Sequence, residues 1–176
     1  MLTVISQKDF KESEFENSDV AHIFLAEHDS FLWQEEIIKC FQKIVKDEKV
    51  TVISTIRDED CYEGDSKFLS DDYIDYYVNY LLCSDSVVFL FGSENKSSAA
   101  QMLHLKIQSS ETKNGSLNRV TVCCPLDNCN IDKIKELSIE NKFQLVHSIE
   151  DLAAASLAIA LCNNERQQDF KKSKLD

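Results

Sequence analysis

Two features of membrane and secreted proteins are missing from this sequence of 176 residues. No apolar run approaches the roughly 18 residues that a transmembrane helix needs. Residues 1–18 also lack the basic start and the apolar segment of a signal peptide. We therefore expect an intracellular, cytoplasmic protein whose seven cysteines are mostly reduced.

Basic residues are scarce, because 19 lysines and arginines stand against 31 aspartates and glutamates, which gives a formal net charge of −12. A protein that binds nucleic acid without sequence preference needs a basic surface. An anionic membrane surface is disfavoured for the same electrostatic reason. We therefore expect neither nucleic acid nor a membrane among the partners.

The cysteines lack the spacing of a zinc site. Three of them lie in the run CCPLDNC, at Cys123, Cys124 and Cys129, but paired CxxC units and a nearby histidine are missing. We therefore expect no metal and no other cofactor. Helix-like apolar positions predict core thiols at Cys40, Cys83 and Cys162.

The sequence does contain a series of short apolar runs that alternate with helical patterns. Residues 20–26 (VAHIFLA) are nearly all apolar, which is typical of a strand buried on both faces. Residues 31–46 carry their apolar side chains on one face of a helix. The other predicted strands are 50–54, 86–91, 119–124 and 143–147, and the other predicted helices are 71–83, 97–109, 131–137 and 149–162.

This alternation predicts one α/β domain over residues 20–162, with a parallel sheet between two layers of helices. We expect a three-layer, flavodoxin-like or Rossmann-like sandwich of five strands in the order 2-1-3-4-5. Residues 1–19 then form an arm or an edge strand, and residues 163–176 a charged, frayed tail. Ligands bind at the carboxyl ends of such strands, so residues 27–30 and 92–98 should line one crevice.

Several short motifs occur in an order that is found in a known family. They are VAHIFLA with Trp33-Gln34-Glu35, VTVIS before Arg57-Asp58, Ser84-Asp85 before SVVFLF, residues 97–106, Val122-Cys123-Cys124-Pro125 and Ile149-Glu150-Asp151-Leu152. Together they span roughly residues 20–155 and resemble the nucleoside 2-deoxyribosyltransferase-like family. The resemblance implies a flavodoxin-like fold and a site for nucleosides.

The family's transferases use a glutamate nucleophile on the helix after the third strand, in a pattern like Leu-Leu-Glu-Leu-Gly. A carboxylate there attacks the anomeric carbon of a deoxynucleoside and forms a covalent glycosyl intermediate, which divides one difficult step into two. The matching run in this sequence is Met102-Leu103-His104-Leu105-Lys106. His104 therefore stands at the glutamate position and Lys106 at the glycine position.

Three more departures fall at pocket positions of the family. Glu27 replaces a glycine that lets the substrate approach the backbone. The turn after the second strand is Ser54-Thr55-Ile56 instead of the usual Asn-Pro-Arg type, although Arg57 and Asp58 remain, and Tyr76-Tyr77 replace a Trp-Glu pair. The changes favour a degenerate member, a pseudoenzyme that acts as a binding or scaffold subunit with a residual nucleoside or nucleotide site. The alternative is an active nucleoside N-glycosidase or 2-deoxyribosyltransferase that uses another carboxylate, such as Glu27. The resemblance also implies a homo-oligomer or a protein complex.

The candidate site residues have structural as well as functional interpretations. The candidates for ligand binding are Glu27, His28, Trp33, Arg57, Asp58, Gly92, Ser93, Ser98 and His104. His104 is a catalytic group or, as we favour, a satisfied structural histidine. Arg57 and Asp58 either hold a ribose or phosphate or pair with each other. Trp33 more readily packs the first helix on the sheet than contacts a base. Asp85 begins the third strand, away from the crevice, and is interpreted as a cap or turn residue.

Overall fold

The fold is an α/β arrangement built on a parallel sheet. A computed structural model describes residues 1–7, 9–17, 19–26, 31–54, 80, 82–90, 119–123, 132, 135, 136 and 143–175. Within these residues the strands are β1 (Leu2–Ser6), β2 (Ala21–Leu25), β3 (Val50–Ser54), β4 (Ser86–Leu90), β5 (Val120–Cys123) and β6 (Gln144–Val146). The two long helices of the described chain are α1 (Phe31–Ile44) and α2 (Ile149–Leu175), and a 3₁₀ helix covers Glu12–Glu16.

The sheet has six described strands, all parallel, in the order β1-β3-β2-β4-β5-β6. The prediction of five strands is therefore wrong in number, and the order of the whole sheet differs from 2-1-3-4-5 because a sixth strand lies at its edge. This strand is β1, which pairs along its whole length with β3, from Leu2 opposite Val50 to Ser6 opposite Ser54. The five predicted strands are all present and keep the predicted order among themselves, as β3-β2-β4-β5-β6 across the sheet.

One face of the sheet packs against both long helices. Alternate residues of β2, such as Ile23 and Leu25, contact α1 through Trp33, Ile37 and Phe41. All five residues of β2 are buried, which explains why the sequence of this strand has no polar–apolar alternation. The predicted amphipathic helix is thereby confirmed, although α1 ends at Ile44 rather than at residue 46.

The opposite face of the sheet carries a second apolar cluster. Phe24 and Phe89 from the central strands are fully buried there, together with Phe10 and Tyr80. Phe10 follows β1, and Tyr80 belongs to the helical residues that precede β4. Residues 97–109, predicted as a helix, lie outside the described part of the chain. The central strands β2 to β5 are therefore buried on both faces, as their runs of apolar residues predict.

Helix α2 is longer than the sequence predicts. It begins where the main-chain N–H of Asp151 donates to Oγ of Ser148 at 3.1 Å, which confirms the predicted cap. It continues to Leu175, so the prediction of a frayed tail from residue 163 is wrong. The reason is that Asn163 and Asn164 are buried and bonded to other parts of the fold, so the polar residues there are not solvent-exposed.

The cysteine predictions are only partly correct. Cys123 is buried at the end of β5, and Cys40 is half-buried on α1. Cys83 and Cys162 are exposed, which contradicts the prediction of core thiols at these two positions. Both lie in helical residues, and neither belongs to the two apolar clusters. No described helix is both long enough and apolar enough to cross a membrane.

Candidate functional site

The carboxyl edge of the sheet brings the ends of β2 and β4 side by side. Leu25 lies opposite Val88, and the main-chain N–H of Ala26 donates to the carbonyl of Val88 at 2.9 Å. From β2 the chain passes through α1 to β3 on one side, whereas from β4 it passes to β5 on the other side. The two crossovers diverge between β2 and β4, which makes this edge a topological switch point, the usual ligand position in such sheets.

Nearly all of the predicted site residues lie outside the described part of the chain. Those residues are Glu27, His28, Arg57, Asp58, Gly92, Ser93, Ser98 and His104. Their place in the sequence is nonetheless informative, because Glu27 follows Ala26 directly and Gly92 is two residues after the end of β4. At this candidate site the structure describes the ends of β2 and β4, and the predicted site segments 27–30 and 92–98 follow closely after them in the sequence.

Trp33 is the one predicted site residue that the structure describes. It lies in the first turn of α1, is 3% exposed, and packs in the cluster between α1 and the sheet. Its indole N–H is buried and has no hydrogen-bond partner in the described part of the chain. The side chain is therefore a core residue that fixes the start of α1 on the sheet, in agreement with the interpretation favoured from the sequence.

The amino edge of the same two strands holds a buried polar cluster that sequence reasoning missed. The main-chain N–H of His22 donates to Oδ2 of Asp85 at 2.8 Å. The main-chain N–H of Asp85 in turn donates to the carbonyl of His22 at 2.9 Å. Both residues are at most 3% exposed. Asp85 thus joins β2 to β4 through its backbone and through its side chain.

Helix α2 completes this cluster from the other side. Gln167 donates from Nε2 to Oδ1 of Asp85 at 3.1 Å, so both carboxylate oxygens of Asp85 accept a hydrogen bond. Asn163 donates from Nδ2 to the carbonyl of Asp85 at 2.9 Å. Asn164 donates to the carbonyl of Val20 at 3.0 Å, which ties the helix to the start of β2. These bonds satisfy buried backbone groups that would otherwise be costly to bury.

The imidazole of His22 is enclosed by aromatic rings. Its Nδ1 lies 3.8 Å from Oδ2 of Asp85. The rings of Phe10 and Phe15 approach it edge-on, with centroid separations of 5.8 and 5.3 Å. A histidine beside an aspartate is a common catalytic pair, but this one is closed from solvent and sits at the edge opposite the switch point. It is best understood as a structural pair.

A signal for this cluster is present in the sequence. His22 is the one polar side chain in the apolar run of residues 20–26, and a buried polar residue requires a partner. The partner, Asp85, is 63 residues away, so the sequence indicates that a partner exists without identifying it. Among the described residues, no group of three or more His, Cys, Asp and Glu side chains is placed to hold a metal ion.

In comparisons with known proteins, no family model matches this chain, and no curated protein matches it in sequence.

Proposed function

We propose that this chain is a degenerate relative of the nucleoside 2-deoxyribosyltransferases, with a flavodoxin-like arrangement of β2 to β6. In this proposal it binds a nucleoside or nucleotide at the carboxyl edge of β2 and β4 and does not transfer the sugar. It acts as a binding or scaffold subunit.

The observation that carries the proposal is the pairing of β2 with β4 at this edge. The bond from Ala26 to Val88 and the divergence of the two crossovers make this edge a topological switch point, the position at which parallel α/β sheets commonly bind ligands. The five strands from β2 to β6 also succeed one another across the sheet as the resemblance requires, with β1 added outside them.

The amino edge offers no competing site among the described residues. Both oxygens of the Asp85 carboxylate are occupied by His22 and Gln167, and the pair is buried. An approaching ligand would have to break these bonds and open the aromatic cluster around His22. A ligand therefore binds more readily at the carboxyl edge.

Transfer activity is lost in this proposal because a histidine stands where the family has its nucleophile. Glycosyl transfer with a covalent intermediate requires a carboxylate that forms a glycosyl ester. His104 occupies that position in the run MLHLK, and imidazole does not form such an ester. Glu27 replaces the glycine on the facing segment, where a side chain narrows the approach of the substrate to the backbone.

The proposal is tested by incubating the pure full-length chain with a panel of 2′-deoxynucleosides and their 5′-monophosphates. Chromatography measures the free base, and a thermal unfolding assay on the same samples measures binding. We expect a rise in the unfolding temperature with at least one compound and no free base above the rate of a buffer control. Base release that disappears in Glu27→Ala but persists in the matched variant Glu35→Ala, an exposed position on α1, would establish the alternative, an active N-glycosidase or transferase.

A further inference from the structure

The outer edge of β1 is an unpaired strand edge in the described part of the chain. β1 bonds to β3 on one side, and no described segment pairs with it on the other. The opposite edge of the sheet is β6, which has only three residues. Natural sheets protect exposed edges by shortening them or by placing charges and prolines on them. β6 is protected by its shortness, whereas β1, with the sequence LTVIS, carries none of these features.

The register between β1 and β3 determines which backbone groups of β1 point outward. The N–H of Val50 donates to the carbonyl of Met1 at 3.1 Å, and the N–H of Gln7 donates to the carbonyl of Ser54 at 2.8 Å. In a parallel ladder alternate residues face the neighbouring strand, so the odd-numbered residues of β1 face β3. The backbone groups of Leu2, Val4 and Ser6 therefore face away from the sheet.

Some of these outward groups are already bonded. The carbonyl of Ser6 accepts hydrogen bonds from the N–H groups of Asp9 and Phe10, each at 3.0 Å. The remaining outward groups are both backbone groups of Leu2, both of Val4, and the N–H of Ser6. They lie at every second residue along one straight edge, which is the spacing that an added strand requires.

We propose that this edge pairs with the same edge of a second copy of the chain, in antiparallel orientation, with the twofold axis at Val4. In that register the N–H of each Val4 donates to the carbonyl of Val4 in the other copy. The N–H of each Ser6 donates to the carbonyl of Leu2 in the other copy. The four bonds use outward-facing backbone groups that have no partner in the described part of the chain. The sheets of the two copies then form one continuous sheet.

A second copy fits this edge better than an unrelated strand for two reasons. With the axis at Val4, each of the four bonds joins a free outward donor of one copy to a free outward acceptor of the other, as a twofold interface requires. β1 is also uncharged in a chain of net charge −12, so the pairing places no like charges opposite each other. The side chain of Val4 is 42% exposed and would contact its copy across the axis.

The direct test is the mass of the full-length chain in solution, measured by light scattering during size-exclusion chromatography over a range of concentrations. We expect twice the chain mass of 20.2 kDa. Because acidic subunits repel each other, added salt should favour the dimer. A mass of 20.2 kDa at every concentration and salt level would overturn the proposal. This holds even if the edge then proves to bind an extended peptide from another protein.

Substitutions at Val4 distinguish strand pairing from any other contact. Val4→Pro removes an N–H that β3 does not use, so the fold should persist while the mass halves. Val4→Thr keeps the N–H and the branched side chain and should remain a dimer. Val4→Lys, which brings two charges together at the axis, should also halve the mass and serves if the proline variant does not fold. A dimer that survives in a folded Val4→Pro and in Val4→Lys would contradict the proposal.

Discussion

The N–H of His22 and the Oδ2 atom of Asp85 form a 2.8 Å hydrogen bond that joins the amino ends of two neighbouring strands. A second bond runs in the opposite direction between their backbones, from the N–H of Asp85 to the carbonyl of His22. Together the two bonds fix the register between β2 and β4, in which Ile23 lies opposite Ser86. The same register brings Ala26 next to Val88 at the carboxyl edge, so a structural pair at one edge positions the candidate site at the other.

Replacing Asp85 should therefore destabilise the whole fold. Asp85→Ala leaves the buried N–H of His22 and the half-buried amide of Gln167 without their acceptor, at a cost of about 2–4 kcal/mol in the free energy of unfolding. Asp85→Asn keeps one carbonyl oxygen and should cost less. Urea unfolding measures both. Asp47→Ala, at an exposed turn, is the control and should stay within about 0.5 kcal/mol of the wild type. Equal stability of the Asp85 and Asp47 variants would contradict the assigned role.

Truncation separates the buried part of the second half of α2 from its exposed end. A chain ending at residue 162 loses the bonds from Asn163, Asn164 and Gln167 to the amino edge of the sheet. We expect a loss of about 3 kcal/mol or more in unfolding free energy. Of the described residues, a chain ending at residue 169 loses only exposed ones, among them Phe170 and Leu175, and its unfolding free energy should change by less than about 1 kcal/mol. Two truncated chains of equal stability would show that residues 163–169 contribute nothing to the fold.

The thiol of Cys83 should react slowly at neutral pH. Although the residue is exposed, partial desolvation of its sulfur raises the pKa of this thiol. The positive charge of Arg119 opposes the rise, and the negative charge of Glu12 adds to it. Because only the thiolate is alkylated, the rate should rise at a higher pH than for free cysteine. Iodoacetamide labelling read by mass spectrometry of the Cys83 peptide measures the pH profile. Glu12→Gln should move the profile to lower pH, and a wild-type midpoint at or below that of free cysteine would contradict the raised pKa.

Trp33 allows a test of the packing of α1, because it is the single tryptophan of the chain. Its side chain is 3% exposed, so acrylamide should quench its fluorescence several-fold less in the native chain than in urea. The free indole amide measured in the same buffer provides the reference. Quenching in the native chain that equals the value in urea would mean that Trp33 is not in the core.

The sequence predicts the strands well, because their signal is local. β2, β3 and β4 are buried on both faces, and each forms a short apolar run that is easily recognised. β1 is less certain from the sequence, because an edge strand such as LTVIS is partly exposed and depends on its pairing with β3. The adjacency of β2 and β4 was predictable from the rules for parallel crossovers.

Hydrogen bonds between polar residues that are far apart in the sequence could not be predicted from it. Asn163 and Asn164 resemble the start of a charged tail, and only the fold brings them to Asp85 and Val20. The candidate site shows the same limit. The strand ends that flank it follow from the topology, whereas the roles of Glu27 and His104 remain proposals from their positions in the sequence.

The most direct test of the central claim is a nuclear magnetic resonance titration of the full-length chain with 2′-deoxyadenosine and its 5′-monophosphate. We predict that the backbone amides of Ala26 and Leu90 at the carboxyl edge shift with increasing ligand. The amides of His22 and Asp85 at the amino edge should stay in place, and adenine should not accumulate in the tube. Shifts at the amino edge alone, the absence of any shift with either compound, or the release of adenine would contradict the account.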